Sequence, residues 1–225
     1  MLDRFVLAFA LLAASFPAAA DPQSTNPDPY SPDRKKITLS EDQARKYMDD
    51  FARCIASRQP KRAAAVLAMP YGSIEQQKTV RDLAIDEVDC LGPMTGSMEF
   101  ATLAQPLTAG MAEYFVANQG KLADMRRRYP QSFAYAEPVG IEMFGECVVA
   151  QNPSAVQALA KSAIASDAET TATDALTPEL QQCVSEGQTL ELDRTALREL
   201  LAVSLYKHIA MPPPAPAVTT AATQH

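Results

Sequence analysis

The chain has 225 residues, with 20 lysines and arginines against 27 aspartates and glutamates and a formal net charge of −7. This balance argues against nucleic-acid binding and against attraction to an anionic membrane surface, because both need clustered basic side chains. Apolar residues make up 47% of the chain, which has no tryptophan. The chain can therefore bury a core of one or two domains.

Residues 1–20 predict a secretory signal peptide. An apolar run from Phe5 to Phe16 leads to a stretch of small residues that favours cleavage after Ala20. An uncleaved membrane anchor is the alternative, but the run is short for a membrane span. We therefore expect a periplasmic or secreted protein with no stable membrane anchor after cleavage. Residues 21–39, rich in proline and polar side chains, are expected to be a flexible leader.

Two pairs of cysteines with the same spacing define the organisation of the chain. Cys54 and Cys90 lie thirty-six positions apart, and so do Cys147 and Cys183. A shift of 93 positions superposes the first cysteine pair on the second together with further matches: Phe51 and Phe144, Pro60 and Pro153, Ala65 and Ala158, Ser73 and Ser166, and Leu83 and Leu176. This match predicts a tandem duplication. In an oxidising compartment it favours two disulfides inside the copies, Cys54–Cys90 and Cys147–Cys183, over bonds between the copies.

The first copy, residues 40–119, is predicted to open with a capped helix. Ser40 and Gln43 have the spacing of a capping box, in which two side chains satisfy backbone amides of the first turn. The helix should run to about Ser57, and its apolar residues recur every three or four positions: Tyr47, Met48, Phe51, Cys54 and Ile55. Cys54 is therefore predicted to lie on the buried face.

Two shorter helices are predicted to follow in each copy. Pro60 and Pro153 suit the first turn of a helix, where the missing backbone amide needs no partner. Ser73, with Gln76 three residues later, predicts the N-cap of the next helix. Ser166 or the aspartate after it has the same role in the second copy.

Each copy is predicted to close with a long amphipathic helix. The apolar positions of the two helices are, in turn, Phe100, Leu103, Leu107, Met111, Tyr114 and Phe115, and Leu197, Leu200, Leu201, Leu205 and Ile209. Pro106 indicates that the first of these helices either starts near Gln105 or bends there. In the second copy, the run Thr177-Pro178-Glu179 predicts the cap and first turn of a further helix.

The remaining segments complete an all-α prediction. Residues 120–138 lie between the copies and predict a short helix and an aromatic strap, and the basic run Arg126–Arg128 predicts a solvated helix end. The second copy is residues 139–210, and residues 211–225 are a low-complexity Pro/Ala/Thr tail. No stretch shows sustained alternation with β-branched enrichment. We therefore predict two tandem disulfide-stapled helical repeats packed into one helical bundle, with disordered termini.

Residues that could carry chemistry are few. The two histidines, His208 and His225, have no partner at a metal-ligand spacing, so no metal site is predicted. A c-type haem or a redox pair would need a Cys-x-x-Cys motif, which the sequence lacks, and no cofactor is expected. His208 is expected near the C-terminus of a helix, where its cationic form would meet the helix dipole favourably. No catalytic residue is assigned.

Glu142 and Glu146 support an enzymatic alternative. They lie one helical turn apart on the helix that leads into Cys147. Two such carboxyls in a cleft could act as acid and base in a hydrolase of cell-envelope glycan. The other interpretation is that acids in the early turns of a helix complement its dipole and keep the surface soluble.

A third hypothesis is a carrier of an apolar small molecule. It predicts an enclosed cavity or groove between the copies, lined by Met111, Phe115, Leu201 and Leu205. Packing of the same residues in the core explains their spacing more economically.

Export, duplication and the scarcity of catalytic residues together favour a non-catalytic module. We expect it to bind a protein or another component of the cell envelope, either on two similar surfaces or in one groove where the copies join.

Overall fold

The structure is a computed structural model that describes residues 39–92, 104–185, 187 and 189–212. These residues form ten α-helices and two short 3-10 helices, and no strand occurs among them. The predicted signal peptide, residues 1–20, and nearly all of the predicted leader and tail lie outside the described residues. The helices are α1 (Glu41–Arg58), α2 (Pro60–Leu67), α3 (Ile74–Asp86), a 3-10 helix (Val88–Leu91), α4 (Ala104–Ala117), α5 (Gln119–Arg128), a 3-10 helix (Pro130–Phe133), α6 (Ile141–Gln151), α7 (Pro153–Lys161), α8 (Asp167–Asp174), α9 (Thr177–Cys183) and α10 (Arg194–Ala210).

The all-α prediction is confirmed, and so are the signals that start α1. The Ser40 hydroxyl accepts a hydrogen bond from the Gln43 amide at 3.3 Å, and the Gln43 side chain accepts one from the Ser40 amide at 2.9 Å. These two bonds form the predicted capping box. The helix ends at Arg58, one residue beyond the predicted end, and its buried side chains include Met48, Phe51 and Ile55.

Proline marks the beginnings of three helices. Pro60 and Pro153 are the first residues of α2 and α7, as predicted. The bounds of α4 place Pro106 in its first turn, where a backbone amide would have no partner inside the helix. The described part of α4 therefore agrees with a start near Gln105, and Phe100 and Leu103, which were predicted to lie on this helix, lie outside the described residues.

The start of α9 differs from the prediction. Leu176, not Thr177, is the N-cap residue, and it makes no side-chain hydrogen bond to the helix. The Thr177 hydroxyl instead donates to the carbonyl oxygen of Asp174 at 2.8 Å. The chain turns directly from α8 into α9, so Thr177 is already helical and its hydroxyl bonds backward to the preceding turn.

Both disulfides join the cysteines that were predicted to pair. Cys54 is bonded to Cys90, with a Cα–Cα distance of 5.7 Å, and Cys147 is bonded to Cys183, at 5.8 Å. Each bond ties an opening helix to a point thirty-six residues later and should stabilise the fold by about 3–4 kcal/mol through the entropy of the unfolded chain. Two such bonds indicate a non-reducing compartment. Among the described residues, no helix is long and apolar enough to cross a membrane.

The helices α4 and α10 pack against each other at the centre of one contiguous hydrophobic core. α1 packs on α4, and α6 packs on α10. Each outer pair includes one close approach of backbones. A Cβ atom at Gly110 would lie 2.6 Å from Ala52 Cβ, and a Cβ atom at Gly145 would lie 2.1 Å from Ser204 Oγ. Glycine at these two positions is therefore required by the packing.

The segment between the predicted copies contains α5 and the second 3-10 helix. Leu122, Met125 and Phe133 are buried, whereas Tyr135 is 45% exposed, so the aromatic strap covers the core only in part. The run Arg126–Arg128 occupies the last turn of α5 and is exposed, as predicted.

Candidate functional site

A cleft of about 290 Å³ lies between α1, α4 and the start of α10. One part of its lining is aliphatic: Ala44, Met48, Pro106, Ala109, Gly110 and Ile164. The charged lining residues are Glu41, Arg45, Asp49, Glu113, Asp193, Arg198 and Glu199. The two predicted copies therefore both contribute to one cavity, which combines aliphatic surface with more carboxylates than cations.

Arg198 is the most deeply buried cation of the cleft, with 4% of its side chain exposed. Its Nε and Nη2 atoms donate to the two oxygens of Glu113, at 2.8 and 3.0 Å. Its Nη1 atom donates to Glu169 Oε1 at 3.1 Å, and the hydroxyl and carbonyl oxygens of Ser162 accept two more hydrogen bonds. All five N–H donors of Arg198 are therefore used inside the protein.

Glu169 joins Arg198 to a second arginine. Arg45 on α1 donates to Glu169 Oε1 at 2.5 Å, and the amide of Ala165 donates to Glu169 Oε2 at 2.7 Å. Burial alone would raise the pKa of Glu169, but the hydrogen bonds from Arg45 and Ala165 and the charge of Arg198 outweigh burial and lower this pKa. Glu169 is therefore held as a carboxylate.

A third arginine completes the network. Arg53 donates to Asp49 Oδ2 at 2.6 Å and to Glu113 Oε2 at 3.0 Å. The network now contains three arginines and three carboxylates: Arg45, Arg53, Arg198, Asp49, Glu113 and Glu169. Its formal charges cancel, so both arginines of the cleft lining are already neutralised.

Glu199 is a carboxyl of the cleft that does not belong to this network of ion pairs. It is partly buried on α10 and lines the cleft, and among the described residues it has no ion pair. Burial, together with the negative charge of Asp193, raises its pKa to about 7. Asp49 Oδ1 also has no hydrogen-bond partner in the described part of the chain, but it has almost no accessible surface, so a molecule in the cleft could not reach it. The carboxyl of Glu199 is therefore the acceptor in the cleft that the described residues leave unused.

Glu169, which anchors the network, belongs to one of two turns that have similar hydrogen bonds. In turn 1 (residues 72–76) the amide of Gly72 donates to the side-chain oxygen of Gln76 at 2.8 Å. The amide of Gln76 in turn donates to the hydroxyl of the N-cap residue Ser73 at 3.1 Å. Turn 2 (residues 165–169) has the same two bonds, at 2.7 and 3.2 Å. Both turns start at a positive φ, +75° for Gly72 and +57° for Ala165. They differ in their last side chain, which is Gln76 in turn 1 and Glu169 in turn 2.

Glu142 and Glu146 line a second cavity of only about 30 Å³. The carboxylate of Glu142 is paired with Lys207 and accepts hydrogen bonds from the amides of Tyr71 at 2.8 Å and Val139 at 3.3 Å. Glu146 Oε1 lies 3.0 Å from the Nδ1 atom of His208. The two carboxyls therefore bind protein groups, and the space beside them suits a water molecule rather than a sugar ring. This geometry gives the glycan hydrolase hypothesis no support.

The groove residues predicted for an apolar carrier lie in the core. Met111, Phe115, Leu201 and Leu205 are each 0–1% exposed on the two packed central helices, and they line neither of the two cavities. The cleft of about 290 Å³ is lined instead by residues nearer the starts of α4 and α10.

Sequence reasoning missed the charged residues of the cleft because charge on an amphipathic helix usually marks the solvent face. Two signals could have found them. Glu113 stands inside the apolar run Met111–Val116, and Arg198 lies between Leu197 and Leu200. A charge inside an apolar stretch requires an opposite charge from elsewhere in the fold.

No group of His, Cys, Asp and Glu side chains within the described ranges is arranged to hold a metal ion. Comparison with protein-family models, with characterised proteins and with solved structures yields no match to this chain.

Proposed function

We propose that the chain is an exported, non-catalytic helical module that binds a partner protein by taking a positively charged group of that partner into the cleft. The cleft, at about 290 Å³, lies at the lower limit for small-molecule pockets and is large enough for a long side chain. A protruding side chain of a protein is therefore a better match to the cleft than a large free ligand.

The observation that carries the proposal is the surplus carboxyl. Arg45 and Arg198 are neutralised by the buried carboxylates Glu113 and Glu169. Glu199 makes no ion pair with the described residues, although the charge of Arg45 offsets part of the rise in its pKa, and it faces the same cavity next to Asp193. A partly buried carboxyl without a partner lowers stability, and a positively charged partner would remove that penalty on binding.

Tandem duplication is the second part of the proposal. The two disulfides have the same separation of 36 residues, and turn 1 and turn 2 share their hydrogen bonds. The residue before each proline-started helix also donates a side-chain amide to a carboxylate near the second cysteine, at 2.6 Å for Gln59 to Glu87 and 2.8 Å for Asn152 to Glu179. These parallels support two copies that have diverged to form one cleft where they join.

Export is the third part. The predicted signal peptide and the two disulfides support a periplasmic or secreted location.

Site-specific photo-crosslinking in cells that export the chain tests the proposal. A photoreactive residue replaces Glu41 at the edge of the cleft, and a matched control replaces Lys78, which is exposed on α3. We expect the Glu41 position to give a defined protein adduct that the Lys78 position does not give, and Glu199→Gln to reduce its yield several-fold. The same adducts from both positions, or a yield unaffected by Glu199→Gln, would contradict the proposal.

A further inference from the structure

We propose that the chain's own leader covers the cleft, and that its basic run Arg34–Lys36 binds the two carboxylates at the rim, Glu41 and Asp193. This inference rests on the proposed function and adds its regulation, because a positively charged group of a partner must displace the run before it reaches Glu199. Three observations support it: the unpaired carboxylates at the rim, the position of the run in the chain, and the charge around the first turn of α1.

The rim of the cleft carries two carboxylates without a cation. Glu41 is the first residue of α1 and Asp193 is the N-cap of α10. Both are exposed and line the cleft, and neither makes an ion pair with the described residues. The arginines of the lining, Arg45 and Arg198, are already neutralised by buried carboxylates. The rim is therefore a negative surface that is open to a cation.

The basic run lies close to this rim along the chain. After the predicted signal peptide, Arg34, Lys35 and Lys36 are the only lysines and arginines that lie outside the described residues. The five positions from Lys36 to Glu41 span at most about 17 Å, which is enough to cross the mouth of a cleft of this size. Leu39, the first described residue, is partly buried, so the chain enters α1 along the body of the protein. A tether this short gives the run an effective concentration on the order of millimolar at the rim, which a free cation would have to exceed.

The start of α1 favours the same contact. The N-terminus of a helix disfavours nearby cations, because its free amides carry partial positive charge. Asp42, the other acid of the first turn, already lies 4.0 Å from Arg45. Glu41 and Asp193 are therefore the carboxylates of the rim that can balance the run. The three cations and the preceding Asp33 give this part of the leader a net charge of +2, which matches the two rim carboxylates.

Cross-linking without a spacer locates the run. The exported chain with both disulfides formed is treated with a water-soluble carbodiimide, which joins a lysine ammonium to a carboxylate in contact with it, and the linked peptides are identified by mass spectrometry. We expect a link from Lys35 or Lys36 to Asp193, and Asp193→Asn, which retains an N-cap side chain, should remove it. The contact between Lys78 and Asp82, at 3.3 Å, is the positive control. In an equimolar mixture of isotopically labelled and unlabelled chains, the links should join only peptides with the same label.

A second measurement tests whether the run limits access to the cleft. The probe is pentylammonium, a primary ammonium on an aliphatic arm, and its binding is followed at low ionic strength by chemical-shift changes of backbone amides in α1 and α10. The variant Arg34→Gln/Lys35→Gln/Lys36→Gln should bind it about threefold more tightly, because the cleft is then open in a larger fraction of the molecules. The matched control changes all three arginines of Arg126–Arg128 to glutamine. It removes the same charge from α5, which does not line the cleft, and should change the affinity less than about 1.5-fold.

The outcomes separate this inference from the proposed function. If Lys78 links to Asp82 but neither leader lysine links to Asp193, the inference is wrong and the proposed function is unaffected. Links between labelled and unlabelled chains would place the run in the cleft of a second copy and overturn the covering by the chain's own leader. Equal affinities of the two triple variants would overturn the regulation. If pentylammonium shifts no amide around the cleft in any variant, the proposed cation site is wrong, while the cross-links still decide where the run lies.

Discussion

Turn 1 and turn 2 have the same backbone conformation and the same hydrogen bonds but different roles in the fold. In turn 1 the buried side chain of Gln76 bonds locally, because its Nε2 atom donates to the carbonyl oxygen of Val66, ten positions earlier, at 3.2 Å. In turn 2 the corresponding Glu169 reaches Arg45 on α1 and Arg198 on α10. A neutral amide at this position therefore makes a local cap, whereas a carboxylate connects turn 2 to two distant helices.

The comparison shows why the cleft forms at one end of the bundle. Turn 2 holds Arg198 in place, Arg198 holds Glu113, and the wall of the cleft is thereby fixed by charges that cancel. Turn 1 has no such charge and holds no such wall. Substitutions in the two turns and in the cleft test this difference and its consequence for the cleft, from the largest expected effect to the smallest.

Removal of Arg198 should have the largest effect on stability. Arg198→Met leaves Glu113 and Glu169 without their shared cation, and the free energy of unfolding should fall by about 3–5 kcal/mol, as for other broken buried ion pairs. The measurement is urea unfolding with the disulfides intact. Arg194→Met is the control, because Arg194 is exposed on the same helix and its 3.4 Å contact with Asp174 is worth less than about 1 kcal/mol. A similar decrease in the free energy of unfolding for the two variants would show that the buried ion pairs of Arg198 stabilise the fold no more than an exposed contact does.

Replacing the last side chain of each turn by that of the other, Glu169 by glutamine and Gln76 by glutamate, should destabilise both turns. In Glu169→Gln the new amide would direct its N–H donors at Arg198 and Arg45, and in Gln76→Glu a buried charge would have no cation and would face the Val66 carbonyl. We expect a loss of about 2–3 kcal/mol in each case at pH 7.

The pH dependence distinguishes the two exchanged variants. The loss in Gln76→Glu should shrink as soon as the pH falls below neutral, because burial raises the pKa of an unpaired carboxyl. The pKa of Glu169 is lowered in the folded protein, so its contribution is present above the unfolded pKa near 4.5 and disappears only below it. Urea unfolding at pH 7.5, 5.5 and 3.5 checks this. Equal pH dependence of the two variants would contradict the assigned difference between the turns.

Glu199→Gln should raise stability, opposite in sign to the first two predictions. Between pH 4.5 and about 7 the unfolded chain releases the proton of Glu199 while the folded protein retains it, so stability falls as the pH rises. Removing this carboxyl should increase the free energy of unfolding at pH 8 by about 1–3 kcal/mol. The difference between the variant and the parent protein should vanish below pH 4.5. The same free energy of unfolding for the variant and the parent protein at pH 8 would show that burial of the ionised Glu199 does not destabilise the fold.

The local structure was readable from the sequence, but the site was not. Ser40, Pro60 and Pro153 act through neighbours in the chain, and the equal spacing of the four cysteines was enough to predict their pairing; these predictions agree with the structure.

The cleft depends on contacts between residues far apart in the chain. Glu113 and Arg198 are 85 positions apart, and Arg45 and Glu169 are 124 apart, so no local pattern connects them. The 93-residue shift aligned Ser73 with Ser166, but sequence alone did not show that the residues three positions later are buried. The four residues proposed as a groove were correctly recognised as apolar, and the same property places them in the core.

The smallest expected effect concerns the first residue of each turn. Gly72→Ala should lower the free energy of unfolding by about 1 kcal/mol, because a side chain at φ +75° is strained although no atom lies within 4 Å of the new Cβ. Ala165→Gly relieves the same strain at φ +57° and should raise stability by about 0.5 kcal/mol. Thermal unfolding of the two variants checks the opposite signs. The same sign for both would show that the turns do not share one conformation.

The ionisation of Glu199 tests most directly whether the cleft holds a carboxyl in need of a cation. The measurement is a pH titration of the Glu199 side-chain carboxyl carbon by nuclear magnetic resonance, without and with saturating pentylammonium. We expect a pKa of about 7 for the free protein and a clear fall in that pKa when the ammonium is bound. A pKa that is ordinary for glutamate, about 4.3, and unchanged by pentylammonium would contradict the proposed cation site.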